Sequence, residues 1–142
     1  MKKLIWLIVP LCIMAMQCEK DNLESGPGPD GTTLYLLTGI WVFEDIIDEI
    51  YHYQRTEELG EGYGFIIYED GRFVERKNAG WCGTPPISYA DFEGNWTKQS
   101  DSVLRINVDF WGGEDIYELI IVDVTENTLQ TIRNNIETVF SE

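Results

Sequence analysis

Strict two-residue alternation, broken at short intervals by turn-forming residues, is the feature that most limits what this chain can fold into. In 103–110, Leu104, Ile106, Val108 and Phe110 point one way, while Arg105, Asn107 and Asp109 point the other. Successive strand side chains leave on opposite faces, so the pattern suits a half-buried β-strand. Ala90, Phe92, Gly94 and Trp96 make a second such face, opposed by Asp91, Glu93 and Asn95. Gly94, set between two aromatic residues, predicts a bulge or bend in that strand. The stretches 64–68 and 72–76 flank Glu69-Asp70-Gly71, a hairpin signal of the Asp-Gly kind. Further strands are expected at 40–47, 116–124, 128–132 and 137–140, with a turn or two of helix within 48–58.

Eight consecutive strands with short links favour an all-β antiparallel meander, closed or nearly closed into a small barrel. Closure removes the exposed edges that an extracellular β protein must otherwise protect. An eight-stranded barrel has an interior that side chains nearly fill, or that holds one small ligand. The inward candidates Trp41, Phe43, Phe65, Phe92, Trp96 and Phe110 are large, which favours a filled or narrow interior.

The first twenty residues have a separate logic. Lys2 and Lys3 precede an uncharged run over 4–16, then Ala15-Met16-Gln17-Cys18, and charge returns at Glu19 and Lys20. A basic start, a short apolar run and a small residue before the cut describe an export signal. A membrane-spanning helix needs about 20 apolar residues, and this run is shorter. The segment resembles the signal peptide of bacterial lipoproteins, and Cys-Glu-Lys-Asp-Asn resembles the start of those of the Bacteroidetes type. The resemblance implies that 1–17 is removed and that Cys18 carries acyl chains such as palmitate. Each buried methylene would add about 0.8 kcal/mol to the anchor. The implied location is the cell envelope, on a membrane that is expected to be the outer one. Residues 18–33, rich in Gly, Pro, Ser and charge, read as a flexible tether, and 34–142 as one domain.

Cys12 leaves with the signal, so Cys82 is the remaining thiol, and no disulfide within the processed chain is expected. Cys82 is expected to be a small buried hydrophobe. Removing Lys2 and Lys3 leaves 8 basic residues against 25 acidic ones, a net charge of −17. Such a chain lacks the basic surface that nucleic acid or an anionic bilayer requires. No Ca²⁺-loop or zinc spacing is present, so no metal or cofactor is expected.

Leu37-Thr38-Gly39-Ile40-Trp41 resembles the opening strand of lipocalin-like domains, whose Gly-x-Trp sits at the closed end of the barrel. Gly94-Asn95-Trp96, the stretch 101–106 and Val124-Thr125-Glu126-Asn127-Thr128-Leu129 also look like parts of such domains, in the same order. The resemblance is to the lipocalin-like group of bacterial lipoproteins, and it spans about 34–132. True lipocalins carry a Thr-Asp-Tyr motif and a disulfide that are missing here. The resemblance implies an arginine near the last strand laid over the tryptophan, for which Arg133 is the nearby candidate.

In a meander, alternate connections share an end. Long aromatic connections at 48–63, 77–87 and 111–114 are therefore expected at one end, and short turns at 69–71, 99–102 and 125–127 at the other. The first strand starts at the short-turn end, so the tether attaches there and the long loops face away from the membrane. Tyr51, Tyr53, Trp81 and Trp111 are the candidate ligand-binding residues, as loop aromatics that can stack on a ligand or partner. His52 is the only histidine, and neither a Gly-x-Ser-x-Gly elbow nor a phosphate-cradling loop occurs, so no catalytic residue is assigned. Two readings stay open: a module that binds a small hydrophobic molecule or glycan, and an interaction subunit that recognises another envelope protein.

Overall fold

The computed structural model describes residues 31–142, so the signal segment, Cys18 and most of the tether lie outside the described residues. A short helix, α1 (Gly31–Leu37), leads into eight strands: β1 (Gly39–Ile47), β2 (Ile50–Thr56), β3 (Gly64–Ile67), β4 (Arg72–Asn78), β5 (Tyr89–Ser100), β6 (Val103–Phe110), β7 (Gly113–Val124) and β8 (Thr128–Phe140). All neighbouring strands are antiparallel and the sheet closes into a barrel in the order β1-β2-β8-β7-β6-β5-β4-β3. The expected all-β, eight-stranded antiparallel barrel is therefore the fold.

The strand set differs from the expected one in two places. The segment read as loop or helix within 48–58 holds β2, which pairs with β1 through a two-residue turn, Asp48-Glu49. Both turn residues have positive φ, 51° and 69°. That is the geometry of a type I′ turn, whose twist suits a hairpin but which usually signals itself with Gly or Asn. The expected strands 128–132 and 137–140 are one strand, β8, with its register against β7 shifting between Tyr117 and Ile116. A bulge of this kind interrupts the alternation and makes one strand read as two.

β3 to β8 run as a meander, but β1 lies between β2 and β3. The connection 57–63 must therefore cross β1. Arg76 pins it, donating from Nη1 to the carbonyls of Leu59 (2.9 Å) and Gly60 (2.5 Å) while its other nitrogens hold Asp91 at 2.6 and 2.7 Å. Phe43 N–H then donates to the Tyr63 carbonyl (3.0 Å), extending the β1–β3 ladder by one rung.

Inward residues fill the barrel from one end. Trp41, Phe65, Ile67, Phe73, Leu104, Ile106, Leu119 and Leu129 are all buried. Fully burying each such side chain contributes about 1.5–3 kcal/mol before chain entropy is subtracted. Gly94 sits where β5 meets β4 and β6, and a β-carbon there would lie 2.7 Å from Val108 Cα. Glycine is thus required by close strand approach, and the register of β5 shifts further on, between Lys98 and Ser100.

The closed end carries α1 and the links 68–71, 101–102 and 125–127; the other end carries Asp48-Glu49, 79–88 and 111–112. Trp41 plugs the closed end and donates from Nε1 to the Leu37 carbonyl (2.8 Å). The arginine over it is Arg55 of β2, with its guanidinium carbon 4.3 Å from the ring centroid. Arg133 does not fill that role, because its place on β8 lies above the core, toward the opposite end. Arg55 donates to the carbonyls of Thr38 (2.6 Å), Glu126 (2.6 Å) and Leu36, joining α1, β2 and the β7–β8 turn. Gly39, at φ 130°, makes this possible, since a β-carbon there would strike the guanidinium.

Replacing Arg55 with Ala is expected to cost about 2–3 kcal/mol in urea unfolding, since it strips charge-assisted bonds from three carbonyls and uncovers Trp41. Arg55→Lys should recover less than half of that loss, because an ammonium cannot present the planar fork.

Candidate functional site

The interior changes character toward the open end, where three alternating inward patterns deliver charge in place of hydrocarbon. On β4 the inward series is Phe73, Glu75, Lys77; on β7 it is Asp115, Tyr117, Leu119; on β8 it is Leu129, Thr131, Arg133. Glu75 is completely buried. A buried carboxylate is costly unless every lone pair is engaged. Oε1 accepts from Arg133 Nη1 (3.0 Å), Tyr117 Oη (3.3 Å) and Tyr63 Oη, and Oε2 accepts from Lys77 Nζ (2.9 Å).

The network continues to the surface through Asp115. Lys77 Nζ also reaches Asp115 Oδ2 at 3.4 Å, and Arg133 Nη2 lies 3.9 Å from the same atom. Thr138 Oγ1 donates to Asp115 Oδ1 (2.9 Å), and Arg133 Nε donates to Asn135 Oδ1 (3.0 Å). The Arg133 guanidinium carbon lies over the Tyr117 ring, 3.6 Å from its centroid. Two acids and two cations thus balance, and each cation faces both carboxylates.

Burial and the Glu75 charge together push the Tyr63 and Tyr117 phenols well above their ordinary range, and Tyr53 is raised for the same reasons in the same order. For Arg133, burial opposes the charge, but Glu75 and the phenols around it outweigh that and hold the guanidinium protonated.

Above this floor lies a cleft of about 440 Å³. Phe43, Tyr51 and Tyr63 form one wall, with Phe43 in edge contact with Tyr63 at 5.9 Å and tilted against Tyr51 at 6.3 Å. Asp115, Arg133, Asn135 and Thr138 form the other. β2 pairs with β8 only from Tyr51↔Thr131 to Gln54↔Thr128, whereas β7 follows β8 to Phe140. The β2–β8 ladder therefore ends where the cleft begins, which is what leaves the barrel open there.

The four aromatic residues expected on loops do not come together. Tyr51 and Tyr53 belong to β2, because the segment expected to be a loop is a strand. Tyr53 is buried beneath the cleft and packs on Phe43 and Phe65 at 5.9 and 4.8 Å, so it supports the aromatic wall from within. Tyr51 alone of the four lines the cleft. Trp81 stands 82 % exposed in the 79–88 connection, and Trp111, 48 % exposed, rests its ring edge against Phe110 on the rim. Cys82 is exposed, not buried, because the 79–88 connection lies outside the barrel and has no apolar cover. Hydrogen bonds from the Thr84 backbone and side chain lower its thiol pKa.

Glu75, Lys77, Asp115, Tyr117 and Arg133 were not singled out as site residues, although a signal for them exists. Each is a polar group in phase with apolar inward neighbours on its own strand. Among the described residues no group of His, Cys, Asp and Glu is arranged to hold a metal ion. No protein-family model, no curated protein and no solved structure matches this chain.

Two stability measurements check this network. Glu75→Gln should destabilise the barrel by about 3 kcal/mol, because removing one partner of a buried ion pair leaves Lys77 and Arg133 under-compensated. The raised phenols have a pH signature. Below pH 10 they are protonated in both states; above it the unfolded chain loses protons that the folded chain keeps, so stability falls as pH rises. Each such tyrosine adds a slope of up to about 1.4 kcal/mol per pH unit. Urea titrations between pH 8 and 11 should show the fall, and Tyr117→Phe should flatten it by one tyrosine's share.

Proposed function

We propose that this chain is a lipid-anchored envelope lipoprotein with a lipocalin-like barrel, and that it binds a small ligand in the cleft at the end of the barrel opposite the tether. The anchor rests on the Lys2-Lys3 start, the short apolar run and Cys18. Gly39-Ile40-Trp41 at the plugged end, with an arginine over the ring, supports the lipocalin-like reading. The connectivity supports the orientation: the chain enters β1 beside α1 at the closed end, so a tether from Cys18 leaves the cleft facing outward.

One observation carries the binding reading. The barrel is packed with hydrocarbon below Glu75, yet it opens above it onto a cleft whose aromatic and charged walls are held in place by buried partners. A pre-organised concave site of a few hundred Å³ with a small number of fixed polar groups is what small-ligand sites look like. The second reading, recognition of an envelope protein, is favoured by Ile46, Ile47, Trp81, Trp111 and Phe140, all exposed at the same end.

Native mass spectrometry of the full chain purified from its host membranes tests the first reading. A retained small molecule is expected, lost when Asn135→Trp fills the cleft and kept in Trp81→Ala. If the bound mass survives Asn135→Trp, the ligand is elsewhere and the cleft is not the site. The anchor has its own test: Cys18→Ser should move the protein out of the membrane fraction and abolish labelling by radioactive palmitate.

A further inference from the structure

We infer that the ligand of the cleft is a neutral saccharide, an inference that rests on the cleft being the binding site. The two walls carry the argument. Phe43, Tyr51 and Tyr63 offer aromatic surface to a ligand with a C–H face. Facing them, donors and acceptors are placed side by side and fixed by one another. Arg133 is held over the Tyr117 ring and tied to Asn135. Asp115 is tied to Thr138 and faces Lys77.

The charge arithmetic then decides between ligand classes. An apolar molecule would seal the ends of Asp115 and Arg133 from water without replacing the hydrogen bonds lost, which is unfavourable. An anion would find each cation already facing the Glu75 and Asp115 carboxylates, and would have to sit beside Asp115. A cation would meet Lys77 and Arg133 in the same way. A neutral ring bearing several hydroxyl groups meets none of these penalties. Its hydroxyls donate to Asp115 and to the Thr138 oxygen, whose own proton is held by Asp115, and accept from Arg133 and the Asn135 amide, and its C–H face covers the aromatic wall.

The experiment uses the full chain in a detergent without a sugar headgroup. It is applied to an array of neutral oligosaccharides built from glucose, galactose, mannose and N-acetylglucosamine, alongside sialylated and sulfated glycans, with palmitate titrated as the apolar probe. Neutral glycans are expected to bind. Asp115→Asn and Asn135→Ala should each weaken them by about tenfold, the scale of one hydrogen bond to the ligand, charge-assisted at Asp115 and neutral at Asn135. Asn135 is exposed, so its variant should melt with the wild type and separates lost binding from lost folding. Binding of palmitate or acidic glycans alone, weakened by the same variants, would overturn the saccharide inference while leaving the cleft as the site. Neutral glycans whose binding ignores both variants would overturn the cleft reading and the inference with it. No binding by any probe, with a non-sugar mass retained in native spectrometry, would overturn the inference alone.

Discussion

The buried carboxylate of Glu75 is the constraint around which the open half of this barrel is organised. It lies in an interior made mostly of aromatic and aliphatic side chains, and it is tolerable there only because four groups from the 57–63 connection, β4, β7 and β8 converge on it. Tyr63 reaches it from a connection that has just crossed β1, so satisfying Glu75 also fixes how that connection ends. Arg133 reaches it from β8 just beyond the last rung shared with β2. The polar network therefore joins strands where the backbone ladder has stopped, and it keeps the opening at a defined shape.

The two ends of the barrel solve the same problem in opposite ways. At the closed end an arginine is spent on main-chain carbonyls, and the aromatic ring beneath it is sealed from water. At the open end an arginine is spent on a carboxylate and a ring, and its outer edge stays in reach of solvent. Hydrocarbon packing between them separates the two polar layers, so each can be altered without rebuilding the other. That separation suits a domain held at one end and presenting a site at the other, as the proposed function requires.

Most of the barrel was legible in the chain. Period-two patterns over 103–110, 90–96 and 72–76 have one physical meaning, and Asp70-Gly71 marks a turn that glycine makes inexpensive. β2 was not legible, because Asp48-Glu49 adopts a positive-φ turn without the glycine or asparagine that announces one. The continuity of β8 was hidden by a bulge at the point where alternation is the only evidence. The candidate site was less legible still. Tyr51, expected on a loop, lies on β2 and lines the cleft from there. Glu75 gives no signal of its own, since an isolated charge in a strand is more often outward, and Arg133 was expected over Trp41 rather than beside a buried carboxylate.

Alternation and turn residues by themselves determined that this chain forms an antiparallel β-barrel and which faces of most strands turn inward, because both depend only on the local geometry of a strand. Pairing of β2 with β8, the choice of Arg55 over Arg133 to cover Trp41, and the meeting of Glu75 with its partners were decided by tertiary structure. Residues as far apart as Glu75 and Arg133 become neighbours only when the sheet closes, and closure is also what makes the interior dry enough for a buried charge to demand all of them.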